Sequence, residues 1–221
     1  MKTKIKLILP NNGIVLNLQQ GERLYFLAGP ISGAGDWQAN AIKMLAEKDP
    51  NCFIVCPCRY DNTHELFQFS LPPTYDELIS DDERESPTRT LQFQNQTMWE
   101  RHYLEQASYF GSVIFWLPSE DSENPRKKET GPYARDTYGE LGRWSLKSSK
   151  PDQFSIHNYK GKMVNLTIGA EKDFHGLSVI QKNFDADHGE PFPIYSTLEE
   201  TISEAVKLGK KTNPQPMMMN D

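Results

Sequence analysis

Residues 137–142 read Thr-Tyr-Gly-Glu-Leu-Gly, placing a carboxylate three positions after a hydroxyl and between two glycines. Two chemistries share this spacing. Thr137-x-x-Glu140 is the pattern of a helix capping box, in which the two side chains satisfy the first free N–H groups of a helix. The same position suits a nucleophile, because a carboxylate in a first helical turn is held ionised by the helix dipole and nearby N–H groups. Gly139 would leave room for a ligand, and Gly142 would let the helix approach its neighbour. An ionised carboxylate can attack an anomeric carbon and form a covalent glycosyl-enzyme intermediate. Spacing alone favours the cap. Asp136, four residues earlier, is a candidate second acid.

Three further groups could hold a ligand. In GPISGAGDWQ (29–38), glycines follow an apolar run and precede a helical pattern, an arrangement that can hold phosphate or sugar against backbone N–H groups. The spacing is neither G-x-G-x-x-G nor a Walker A loop. A tight strand-to-helix turn explains Gly29 and Pro30 equally well. Asp36 is a helix cap on either reading, while Trp37 and Gln38 belong to a pocket or to the core. Arg59, directly after a second apolar run, is placed to hold a phosphate, a carboxylate or a catalytic acid, or to form a surface ion pair. In QFQNQTMWERHYL (92–104), Glu100 lies on an apolar stripe where a lone carboxylate is costly unless paired, with Arg59 or Arg101 as partner. Gln92, Gln96, Trp99 and Tyr103 form the adjacent stripe, either a wall for a flat base or a packing face.

These residues need elements to position them. LYFLA (24–28), FIVC (53–56), SVIFWL (112–117) and VNLTIG (164–169) read as buried strands, with LSVI (177–180) as a short fifth. Helices are expected over about 37–48, from Ser86-Pro87 to about Ala107, from Thr137, and from a capping box at Thr197 and Glu200. Apolar residues on either side of Pro10-Asn11-Asn12-Gly13 predict an N-terminal β-hairpin over residues 1–20. The main domain then spans 21–209, and residues 210–221 form a disordered tail. Alternating strands and helices predict a doubly wound α/β sheet whose ligands bind beyond the carboxyl ends of the strands.

Composition narrows the function. A formal charge of −6 argues against a nucleic-acid polymer as partner. No apolar run approaches membrane-spanning length, so a cytoplasmic protein is expected. Cys52, Cys56 and Cys58 are an odd set on or beside one strand, which reads as buried thiols rather than a disulfide framework. The five histidines lack metal-ligand spacing, and no metal is expected.

In chain order, FLAGP (26–30), DWQ (36–38), Cys58-Arg59, Gln96 with Trp99-Glu100, VIFWLP (113–118), ELG (140–142) and IGA (168–170) resemble the nucleoside 2-deoxyribosyltransferase-like family, closest to its divergent branch. The resemblance covers about residues 24–180. It implies a flavodoxin-like three-layer sandwich with a central, mostly parallel five-stranded sheet. It also implies cleavage of an N-glycosidic bond with Glu140 as nucleophile, a sugar and base pocket lined by Gly29 to Trp37, and a homo-oligomer. No cofactor is called for, since the chemistry asks only for a nucleophile and a proton donor. Better-known members carry aspartates where this chain has Ser112 and Ala134, which leaves Asp136 as the candidate substitute. The expected partners are a nucleoside or nucleotide and a nucleobase, with substrate contacts from Gly29, Pro30, Asp36, Trp37, Gln38, Arg59, Trp99 and Glu100. The alternative is a non-catalytic nucleotide-binding module on the same fold.

Overall fold

The computed structural model describes residues 5–10, 18, 21–71, 96–148 and 164–211. Central strands β2 (Arg23–Ala28) and β4 (Gly111–Leu117) pair in parallel, with Phe26 opposite Val113 and Ala28 opposite Phe115. Both are apolar on two faces because both faces are covered. Leu24, Phe26, Val113 and Phe115 point into one core, and Tyr25, Leu27, Ile114 and Trp116 into the other. Each such side chain contributes about 1.5–3 kcal/mol on burial.

Strands β1 (Leu7–Ile8), β3 (Cys52–Val55), β5 (Leu166–Ala170) and β6 (Ile194–Tyr195) complete a six-stranded sheet in the order β1-β3-β2-β4-β5-β6, with every pairing parallel. Without β1 this is the strand order of flavodoxin-like sheets. Helices α1 (Trp37–Lys48) and α5 (Leu198–Lys211) cover one face through Ala41, Ile42, Leu45, Ile202, Ala205 and Val206. Helices α2 (Gln96–Phe110), α3 (Arg135–Ser148) and α4 (Leu177–His188) cover the other through Trp99, Tyr103, Leu141, Trp144, Ile180 and Phe184. The chain therefore leaves β2 towards one face and β4 towards the other, and the switch point lies between their carboxyl ends.

Several expectations change. Among the described residues the sheet has six strands, not five. Within the first apolar run, Leu7 and Ile8 pair in parallel with Ile54 and Val55 and extend the main sheet. Of the expected second half of the hairpin, residues 14–18, all but Leu18 lie outside the described residues. LSVI begins α4, because Leu177, Ile180 and Phe184 follow helical spacing that four residues alone do not reveal. Gly176 and Gly189, both left-handed, bound that helix, and the Gly189 N–H donates to the Asp185 carbonyl at 2.9 Å. The expected fourth strand, over 164–169, is β5, and the two-residue β6 stands where LSVI was expected as the next strand. The expected helix start at Ser86-Pro87 lies outside the described residues. Helix α5 extends through Lys211, two residues into the expected tail, and the remainder of that tail is likewise outside them.

Candidate functional site

Glu140 is not a capping residue. Helix α3 starts at Arg135, and the Ala134 carbonyl accepts from the Tyr138 N–H at 3.0 Å, so the helix begins before Thr137. Ala134 itself is buried with a φ of 57°. Thr137 is buried within the first turn, and Glu140 falls in the second, where the dipole contributes little. The expectation of a carboxylate kept charged by the helix end is overturned. Burial pushes the Glu140 carboxyl up to about 7, the Glu100 and Asp136 charges push in the same direction, and Arg143 opposes them.

Glu100, on α2, is the second acid in this cluster. Burial raises its pKa and Asp136 adds to the rise, while a hydrogen bond from Gln96 and the Arg59 charge act against it. The Gln96 amide is engaged on both sides: Nε2 donates to Glu100 Oε1 at 2.7 Å, and Oε1 accepts from Arg59 Nε at 3.0 Å and from Arg59 Nη2. Arg59, just beyond the carboxyl end of β3, thus reaches Glu100 through Gln96. Asp136 lies at the edge of this cluster: its side chain is 74% exposed and paired with Arg135 at 3.2 Å and Arg126 at 3.9 Å.

The glycine-rich turn is built for packing. Gly29 has a φ of 142°, and a Cβ there would stand 2.2 Å from the Trp116 carbonyl oxygen. Only glycine fits at this crossing of two strand ends. The Pro30 carbonyl accepts from Trp37 Nε1 at 2.8 Å and from Gln38 Nε2 at 3.2 Å, and both side chains are buried. Asp36 fills the N-terminus of α1 itself by accepting from the Ala39 N–H at 3.2 Å. Its carboxylate also accepts from the Tyr60 hydroxyl at 2.6 Å and lies 3.0 Å from His64 Nε2. Burial works against the Asp36 charge, but the hydrogen bonds from Tyr60, His64 and Ala39 prevail and lower its pKa. The helix end expected to cradle phosphate is therefore occupied by a side chain.

Trp99, expected as a wall for a base, is 1% exposed and packs between Phe26 and Tyr103 at ring distances of 6.2 and 5.1 Å. It belongs to the core. Ser112 lies at the amino end of β4 and is bonded towards Asn165 and Thr167, so an acid there would sit at the wrong edge of the sheet. The structure thus gathers Glu140, Glu100, Asp136 and Arg59, with Gln96 between the last and Glu100. It assigns Gly29, Pro30, Trp37 and Gln38 to the turn that supports them. Tyr60 and His64 escaped the sequence reading. Their rings stack at 3.8 Å and 6°, and the Leu66 N–H donates to His64 Nδ1 at 3.2 Å, which leaves Nε2–H to face Asp36. Only the position of Tyr60 just past a strand end hinted at this cluster.

Nothing among the described residues lies within 4 Å of a Cβ built on Gly139 or Gly142, so Gly142 does not serve a close helix contact. Gly139→Ala and Gly142→Ala should each stabilise α3 by about 0.5–1 kcal/mol, read as a rise in denaturation midpoint. A variant that gains stability but loses ligand binding would mark its glycine as part of the binding surface.

Among the described residues no group of three or more His, Cys, Asp or Glu side chains is arranged to hold a metal ion, and no helix is long and apolar enough to cross a membrane. The three cysteines are free and buried. No protein-family model and no curated protein sequence matches the chain.

Proposed function

We propose that this chain cleaves the N-glycosidic bond of a nucleoside or nucleotide and transfers the (deoxy)ribosyl group to another nucleobase or to water. The observation that carries the reading is the carboxylate pair Glu140 and Glu100, both perturbed upwards, beside the carboxyl ends of parallel strands. Two acids whose environments keep a proton between them near neutral pH suit glycosyl transfer. The ordered motifs that resemble the nucleoside 2-deoxyribosyltransferase-like family support the same reaction, and with it a homo-oligomer.

In this mechanism the ionised Glu140 attacks the anomeric carbon. The C–N bond breaks, and the departing base keeps the bonding electrons and takes a proton from Glu100. Glu140 is then an ester and carries no charge, so Glu100 is free to stay ionised. In the second half Glu100 removes a proton from the incoming base or water as that group attacks the sugar, and Glu140 is released as a carboxylate. No step asks for a cofactor.

The test is incubation with a deoxynucleoside and a second, isotopically labelled nucleobase. Label should appear in the nucleoside, and an acid quench should capture a glycosyl mass increment on the peptide containing Glu140. Saturable nucleoside or nucleotide binding with neither signal would instead identify a non-catalytic nucleotide-binding module.

A further inference from the structure

Arg59 is exposed and lies beyond a strand end, a position from which an arginine would ordinarily meet a ligand. Here its guanidinium is turned onto the Gln96 carbonyl oxygen through two N–H groups. Those bonds fix the orientation of the amide: with Oε1 committed to Arg59, only Nε2 can face Glu100, and it does so at 2.7 Å. A rotated amide would set its oxygen against the carboxylate and its NH2 against the guanidinium, losing both contacts. Arg59 therefore delivers an N–H donor to Glu100 without touching it. An N–H donor can bond an ionised carboxylate oxygen but gives no comparable support to the proton on a neutral one.

We infer that Arg59 is a positioning residue which, by orienting Gln96, makes Glu100 the ionised member of the Glu100–Glu140 pair in the empty site. The inference takes its pair from the proposed reaction and adds to it a rest state. With the proton held on Glu140, the nucleophile is neutral until the proton crosses to Glu100, so the empty site is protected from idle attack. The groups acting on the pair come from three segments: Gln96 on α2, Asp136 and Arg143 on α3, and Arg59 after β3. Asp136 and Arg143 act on the pair by charge alone and take no part in the Arg59–Gln96 link.

The test is a carbon-13 NMR titration of the full chain labelled at glutamate carboxyl carbons, with assignments from Glu100→Gln and Glu140→Gln. In the wild type the higher of the two steps should belong to Glu140. In Gln96→Leu and Arg59→Met the proton should pass in part to Glu100, so that Glu100 titrates in the higher step and the Glu140 midpoint falls by about one pH unit. Arg59→Lys, which restores one donor, should lie between. An unchanged Glu140 midpoint in folded Gln96→Leu and Arg59→Met overturns the inference. A shifted midpoint in a protein that turns over no nucleoside upholds the relay and removes the proposed reaction instead.

Discussion

Glu140→Gln should abolish base exchange and, above pH 7, make the protein harder to unfold. The first effect follows from chemistry, since an amide cannot form the glycosyl ester; losses of about 10³-fold or more in kcat/KM are expected when a nucleophile is removed. The second follows from linkage. Burial holds the folded-state carboxyl near 7, above its ordinary value of 4.5. A carboxyl raised by folding stabilises the native state while protonated, and that contribution is lost as pH climbs from the ordinary value through 7. Above that range the wild type carries a disfavoured charge costing about 3 kcal/mol. The neutral amide avoids that cost, so Tm at pH 8 should rise by roughly 6–12 °C, with little change at pH 4. A capping carboxylate predicts the reverse, a loss of about 1 kcal/mol near neutral pH.

The wild-type pH profile tests the shared proton. The working state carries one proton on the pair, with Glu140 ionised and Glu100 protonated, so kcat/KM should be bell-shaped and fall about tenfold per pH unit above 7, where the pair loses its last proton. A rate that stays level well above pH 7 would show that the departing base takes its proton from a group other than Glu100.

What was legible in the sequence divides along a physical line. Strands β2 and β4 could be read because a strand buried on both faces is largely apolar, and the unbroken runs Leu24–Ala28 and Val113–Leu117 leave few alternatives. The two-residue strands β1 and β6 carry no such signal; their neighbours in the sheet define them. Helix starts made by a local side chain were also legible. Asp36 caps α1, and the Thr197 hydroxyl accepts from the Glu200 N–H at 3.2 Å at the start of α5. At α3 a backbone turn at Ala134 begins the helix, and the Thr137-x-x-Glu140 pattern is a coincidence of spacing.

The same limit applies at the site. Glu100 stood out because it lies on an apolar stripe, and the unfavourable environment that made it conspicuous is what perturbs it in the fold. Its support from Arg59 runs through an amide 37 residues further along the chain than the guanidinium, and residue types do not specify which way that amide faces. Trp99 and Trp37 are aromatic on any reading. Only three-dimensional packing makes one a core residue and the other a donor that braces the turn after β2.

Asp49→Ala should cost about 3–5 kcal/mol without altering chemistry per folded molecule. Asp49 follows the last turn of α1, is 2% exposed, and accepts from Arg23 Nη2 at 2.7 Å, from Arg23 Nε, and from the Tyr25 hydroxyl at 2.9 Å. Its own N–H donates to the Leu45 carbonyl at 2.8 Å, and its carbonyl accepts from the Cys52 N–H at 3.1 Å. One residue thus joins the end of α1 to the amino ends of β2 and β3. Truncation leaves a half-buried guanidinium and a buried phenol without their acceptor, and that loss outweighs the lost attraction itself. Arg23→Met with Asp49→Leu should recover part of the stability, because replacing both charged partners with apolar groups leaves no orphaned charge and only the Tyr25 hydroxyl without its acceptor. All of this lies at the amino edge of the sheet, opposite Glu140 and Glu100. Denaturant unfolding of the single and double variants, paired with exchange activity per folded molecule, therefore measures the fold separately from the site. A loss of activity in the restored double variant would mean that the two edges of the sheet are coupled.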